Sequence, residues 1–136
     1  MTIYPIDITG ISPILTHNPA AMLVPQATGA RGQAIYEPTE EAEKACYRMD
    51  NGVLGFPSIG LRSAILSAAA SFKVPKKRYS LKSLLSHAQI EGELMPLLSL
   101  DGEPLVEYAI DNRRVIVNRA GVIRSRPKLN EWRGRG

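Results

Sequence analysis

Apolar residues fall at helical spacing most plainly where Leu61, Ala64, Ile65, Ala68, Ala69 and Phe72 stand at i, i+3, i+4, i+7, i+8 and i+11. That spacing gathers them on one side of a helix and predicts that this side faces the core. Pro57-Ser58 precedes the run, so Ser58 is the expected N-cap. Val74-Pro75-Lys76-Lys77-Arg78 interrupts the pattern with a basic loop, after which Ser80 is placed to cap a short helix carrying Leu81, Leu84 and Leu85. Such a run of cations in a loop is ordinarily solvated. A third helix is expected from Thr39 to about Tyr47, with Glu40, Glu41 and Glu43 complementing the dipole of its first turn.

Elsewhere the apolar positions suit strands. Ile3, Ile6, Ile8 and Ile11 among Thr and Tyr predict a strand over residues 2–12, and the Asp50-Asn51-Gly52 turn leads into a brief one over 53–56. Runs near Ile90, over 95–100 and over 105–110 read as strands, the last two split by Asp101-Gly102-Glu103-Pro104. Residues 114–118 and 122–126 read as a final hairpin around Arg119-Ala120-Gly121. Between 16 and 38 the chain turns to Asn18-Pro19, Pro25 and Thr28-Gly29-Ala30-Arg31-Gly32, the chemistry of a long loop. No internal repeat or low-complexity segment is visible.

The mixture predicts an α+β protein, and 136 residues suit one domain spanning 1–136. A composition of 44% hydrophobic and 22% charged residues provides for a buried core rather than a disordered chain. The lone Cys46 has no internal disulfide partner, which points to a reducing, cytoplasmic setting and to a core role. No apolar run reaches membrane-spanning length, and Met1-Thr2-Ile3-Tyr4-Pro5 lacks the pattern of a secretory signal; no membrane partner is expected.

Charge changes the picture most. Residues 1–112 hold nine Lys or Arg against twelve Asp or Glu, a net of −3. From Arg113 onward eight cations (Arg113, Arg114, Arg119, Arg124, Arg126, Lys128, Arg133 and Arg135) face Glu131 alone, a net of +7. Such a basic segment over 113–136 is either a phosphate-binding surface or a solvated basic face. Strand alternation puts Val122, Arg124 and Arg126 on one side and Ile123 and Ser125 on the other. Two arginines about 7 Å apart match roughly one nucleotide step of an extended single strand, or else keep a sheet edge soluble. The aromatics nearest the basic segments are Tyr79, Tyr108 and Trp132, too few for a stacking track, so the expected grip is on the backbone.

The stretch Val53-Leu54-Gly55-Phe56-Pro57-Ser58-Ile59-Gly60-Leu61-Arg62-Ser63-Ala64-Ile65 resembles a signature of CRISPR-associated RAMP proteins, in which a strand runs through Pro-Ser into a helix opening with Leu-Arg. Ile8-Thr9-Gly10-Ile11-Ser12-Pro13-Ile14-Leu15 is similar to that superfamily's first strand, and Ala109-Ile110-Asp111-Asn112-Arg113-Arg114 to a segment of its backbone subunits. Together these cover about a third of the chain. The resemblance implies a ferredoxin-like, RRM-type antiparallel sheet with helices packed on one face, here carrying a basic C-terminal hairpin. It implies a single-stranded guide-type RNA as ligand, held with other subunits of a ribonucleoprotein or with copies of the same chain. The candidate RNA-binding residues are Arg113, Arg114, Arg119, Arg124, Arg126, Lys128, His17 and Arg62. Family members carry a glycine-rich segment that closes the sheet, whereas this chain stops at Trp132-Arg133-Gly134-Arg135-Gly136. The expectation is a shortened phage or mobile-element relative, or a sheet completed by a partner.

Catalysis is not expected. His17 and His87 have no metal-ligand spacing with each other or with Cys46, and Gly52, Gly55 and Gly60 make no phosphate loop, so no metal or cofactor is predicted. His17 either contacts RNA or packs under the loop that follows it. Asp50 and Asp111 are the only carboxylates suggested for metal-assisted RNA cleavage, and Asp50 beside Asn51-Gly52 is more simply a turn residue. Two other classes stay open: a small phage protein that inhibits or caps such a complex, and a phage single-stranded DNA-binding protein.

Overall fold

The computed structural model describes residues 1–20 and 37–136, so most of the loop expected over 16–38, including Pro25 and Thr28 to Gly32, lies outside the described residues. The elements are β1 Asp7–Thr9, β2 Ile14–Leu15, α1 Pro38–Lys44, β3 Gly55–Pro57, α2 Ser58–Ala69, α3 Leu81–Leu85, β4 Leu94–Leu98, β5 Ala109–Val117, β6 Ala120–Leu129 and β7 Arg133–Arg135. They form an α+β protein with two antiparallel sheets, one of order β1-β7-β4-β3 and one of order β2-β6-β5. A ferredoxin-like sheet places a third strand between the two that flank each helix. Here β3 and β4, which flank α2 and α3, are direct neighbours, with Phe56 opposite Met95.

The N-terminal strand is shorter than its apolar pattern predicts. Pro5 has no N–H to give a ladder and Pro13 ends the run, so the chain pairs as β1, breaks at an exposed Ile11, and pairs again as β2. Ile6 exchanges both backbone hydrogen bonds with Gly136, at 2.8 and 2.9 Å, and ties the two ends of the chain together. The strand expected over 105–110 divides as well. Leu105 bonds backbone to backbone with Leu54 and Leu97, while the regular β5 begins only at Ala109.

The core lies where the two sheets meet. Cys46, Leu54, Met95, Leu97 and Leu129 are buried together, with Ile8, Ile14, Phe56, Leu61, Leu105, Tyr108 and Trp132 packed around them. Helix α1 starts on Pro38, whose missing N–H costs nothing there, and Glu37 rather than Thr39 caps it, accepting from the Thr39 N–H at 3.4 Å. It packs on β5 and β6.

Helix α2 begins where Pro57-Ser58 predicts, but only the start of its apolar side reaches the core, where Leu61 packs. Only Ser58 and Ala69 on it are buried, Leu61 is half-buried, and Ile65 is exposed, as is Phe72 just beyond the helix. Its packing is with β3, the edge strand of the four-stranded sheet, and with α3. The cap expectation is corrected too. Pro57 is the N-cap, Ser58 is the first helical residue, and the Ser58 hydroxyl is buried without a hydrogen-bond partner among the described residues.

Candidate nucleic-acid interface

Strands β5 and β6 pair from Ala109 with Lys128 to Val117 with Ala120, around a two-residue turn. Asn118 and Arg119 both take positive φ, 50° and 65°, which is the type I′ turn whose twist suits a tight hairpin. Alternation then sorts the side chains. Asp111, Arg113 and Val115 share a face with Val122, Arg124 and Arg126, Arg113 standing directly opposite Arg124 and Asp111 opposite Arg126. Lys128 continues that face and lies opposite Leu15 of β2. Leu15, Asp111, Arg113, Val115, Arg124 and Arg126 line a shallow cleft of about 60 Å³.

Two carboxylates intrude. Asp111 accepts from Arg113 Nε at 2.6 Å, and Glu41 of α1 lies 3.4 Å from Arg124 Nη1. Arg126 and Lys128 have no ion-pair partner among the described residues. Four cations against two carboxylates leave the face with two surplus positive charges, both on β6. Lys128, one of the two, lies beside Leu15, which also lines the cleft.

The other predicted residues scatter. Arg114 points to the opposite face, where its guanidinium lies over Gly121 so closely that a Cβ there would overlap it. Arg119 is displayed at the turn. His17 is exposed two residues beyond Leu15, and its carbonyl accepts from the Tyr47 hydroxyl at 3.3 Å. Arg62 stands on α2, away from the hairpin, donating to the carbonyls of Ala88 and Ser86 at 2.7 and 2.8 Å. Arg133 and Arg135 are engaged with Asp7, whose carboxyl the Arg133 hydrogen bond holds below its ordinary value.

The aromatics near the basic C-terminal segment are also committed. Tyr108 donates to Glu43 at 2.7 Å and lies under the Arg48 guanidinium, 5.9 Å from ring to cation. Trp132 donates to the Ser12 carbonyl at 2.9 Å. The polar atoms of both rings are thus hydrogen-bonded within the fold.

Among the described residues no group of three His, Cys, Asp or Glu side chains gathers as a metal site. Burial pushes the Cys46 thiol up to about 11, opposite to the shift a nucleophilic thiolate requires. Asp50 is a central residue of the turn that the Gly52 N–H closes onto the Met49 carbonyl at 2.8 Å, with Gly52 at φ +82°. The alternation of β6 was readable from sequence; Leu15, Asp111 and Glu41 were not readable as parts of the face, because only the register of β2 and β5 and the docking of α1 bring them there. No helix among the described residues is long and apolar enough to cross a membrane. No protein-family model, curated protein or solved structure matches this chain.

Proposed function

We propose that this protein is an RNA-binding subunit that grips the backbone of a single-stranded, guide-type RNA within a CRISPR-like ribonucleoprotein. The observation that carries the binding half of the reading is the β5–β6 face. Arg113, Arg124, Arg126 and Lys128 stand on it together, and two of the four positive charges have no carboxylate partner among the described residues. Arginines in a row along a strand meet successive phosphates of an extended strand without reading its bases. The ribonucleoprotein half is carried by the sequence resemblance of residues 53–65 and 109–114 alone.

The test is what the protein carries. Purified from its native host, it is expected to show an elevated ratio of absorbance at 260 to 280 nm that falls after RNase and not after DNase. Sensitivity to DNase instead would assign it to single-stranded DNA. A nucleic-acid-free protein that co-elutes with a stable protein complex would overturn the binding role in favour of an inhibitor or cap.

A further inference from the structure

A second basic surface is hidden by the overall charge of the first 112 residues. From Asn51 to Ile90 the chain has no Asp or Glu, yet it holds Arg62, Lys73, Lys76, Lys77, Arg78 and Lys82. Arg62 is spent on backbone carbonyls; the other five are exposed and form no ion pair among the described residues.

The loop that displays them is a closed miniature hairpin. Leu81 donates to the Phe72 carbonyl at 2.8 Å, Lys73 bridges Ser80, Val74 donates to Tyr79 at 3.2 Å, and Lys77 donates to Val74 at 3.0 Å. At the tip Pro75 and Lys76 occupy the two central turn positions. Lys76 takes φ +61°, where glycine is the easy residue, so a costly backbone geometry is spent on presenting a cation. Val74 and Leu81 are half-buried, while both rings of the loop are turned out, Phe72 at 61% exposure and Tyr79 at 46%.

We infer that the loop over residues 72–82 is a binding site for single-stranded nucleic acid, in which Phe72 and Tyr79 stack on bases while Lys73, Lys76, Lys77, Arg78 and Lys82 hold the adjoining phosphates. Exposed aromatic faces set among cations are what an unpaired strand recognises, since each base supplies a π-face and each step a charge. A duplex hides its base faces and uses only the cations. An anionic membrane is less well matched, because Val74 and Leu81 are half-buried and the exposed apolar surface of the loop is limited to Phe72, Pro75 and Tyr79. The site shares its ligand class with the proposed function but none of its residues.

Anisotropy titrations of a labelled single-stranded RNA and of the corresponding duplex, across a salt series, test it on the full chain. Phe72→Ala/Tyr79→Ala is expected to weaken single-strand binding by about tenfold or more, leave the duplex nearly unaffected and keep the salt slope. Lys76→Ala/Lys77→Ala/Arg78→Ala is expected to flatten the single-strand slope by roughly 2 units. Phe72→Leu/Tyr79→Leu removes the aromatic faces while keeping apolar bulk, and decides the matter should the alanine pair not fold.

Unchanged single-strand affinity in the ring variants overturns the inference, as does an equal loss for duplex. A parent protein that ignores RNA but binds phosphatidylserine vesicles also overturns it, in favour of a membrane. Arg126→Ala/Lys128→Ala, run in parallel, separates the two readings. If only that variant weakens binding the loop site fails and the hairpin stands; if only the loop variants do, the reverse holds.

Discussion

The indole of Trp132 lies directly over Gly10, so close that a Cβ built on Gly10 would overlap the ring. The two residues are also joined through the backbone, Gly10 donating to the Trp132 carbonyl at 2.9 Å, and the indole N–H reaches Ser12 two residues on. This contact fixes how the first strand meets the last. A methyl group at Gly10 has a rigid ring in its way rather than a flexible chain end. Gly10→Ala should therefore cost about 1 to 3 kcal/mol, the usual range for overpacking, read as a lower urea midpoint with the m-value retained. An unchanged midpoint would mean that the Trp132 clasp contributes nothing to stability.

Cys46 provides a test of the core by pH. Its thiol is buried, donates to the Ala42 carbonyl at 3.4 Å, and titrates at about 11, chiefly because burial disfavours the thiolate. Its folded value lies above the unfolded value of about 8.5. The stability linked to this difference is thus fully present below the unfolded value and is lost as pH rises through about 11. At pH 8 the native protein should react with a thiol reagent only as fast as it opens, and urea should speed the reaction in step with unfolding. Immediate stoichiometric labelling without denaturant would show that Cys46 is accessible.

What the sequence discloses divides along sequence distance. The I′ hairpin over β5 and β6 is local, so alternation and turn residues reveal it even though the turn is Asn118-Arg119 rather than the three residues expected. The pairing of β1 with β7, Asp7 opposite Arg135, joins residues more than 120 positions apart and leaves no periodic signal. The same contact explains why counting cations overstates the candidate site, since Arg133 and Arg135 serve Asp7. Periodicity likewise identified an apolar side of α2 without telling what covers it. Only Leu61 of that side packs on the core, and Ile65 is left outside.

Ser58 turns that lesson into a measurement. A serine acting as N-cap would lose about 1 kcal/mol on replacement by alanine. Here the hydroxyl is buried with no partner among the described residues, so removing it removes a polar group desolvated without a hydrogen bond from them. Ser58→Ala should leave stability within about 0.5 kcal/mol of the parent or raise it. A loss near the full capping value would restore the cap.

The eight cations of the C-terminal segment should separate in the same way when RNA binding is titrated against salt. Arg126 and Lys128 have no ion-pair partner among the described residues and share the cleft face of β6, so both are available to phosphate. Replacing both with Ala should flatten the slope of log affinity against log salt by roughly 1.4 units, about 0.7 for each phosphate contact on a single strand. Affinity should fall for all RNA sequences alike, because backbone contacts carry no base information. Thermal stability should hardly move. Arg133 presents the opposite profile, since its guanidinium bonds Asp7 through two nitrogens and links β7 to β1. Arg133→Ala should lower the melting temperature while leaving the salt slope close to that of the parent. Should both variants instead change the slope equally, the charge of the segment acts as a diffuse field and the β5–β6 face is not a defined site.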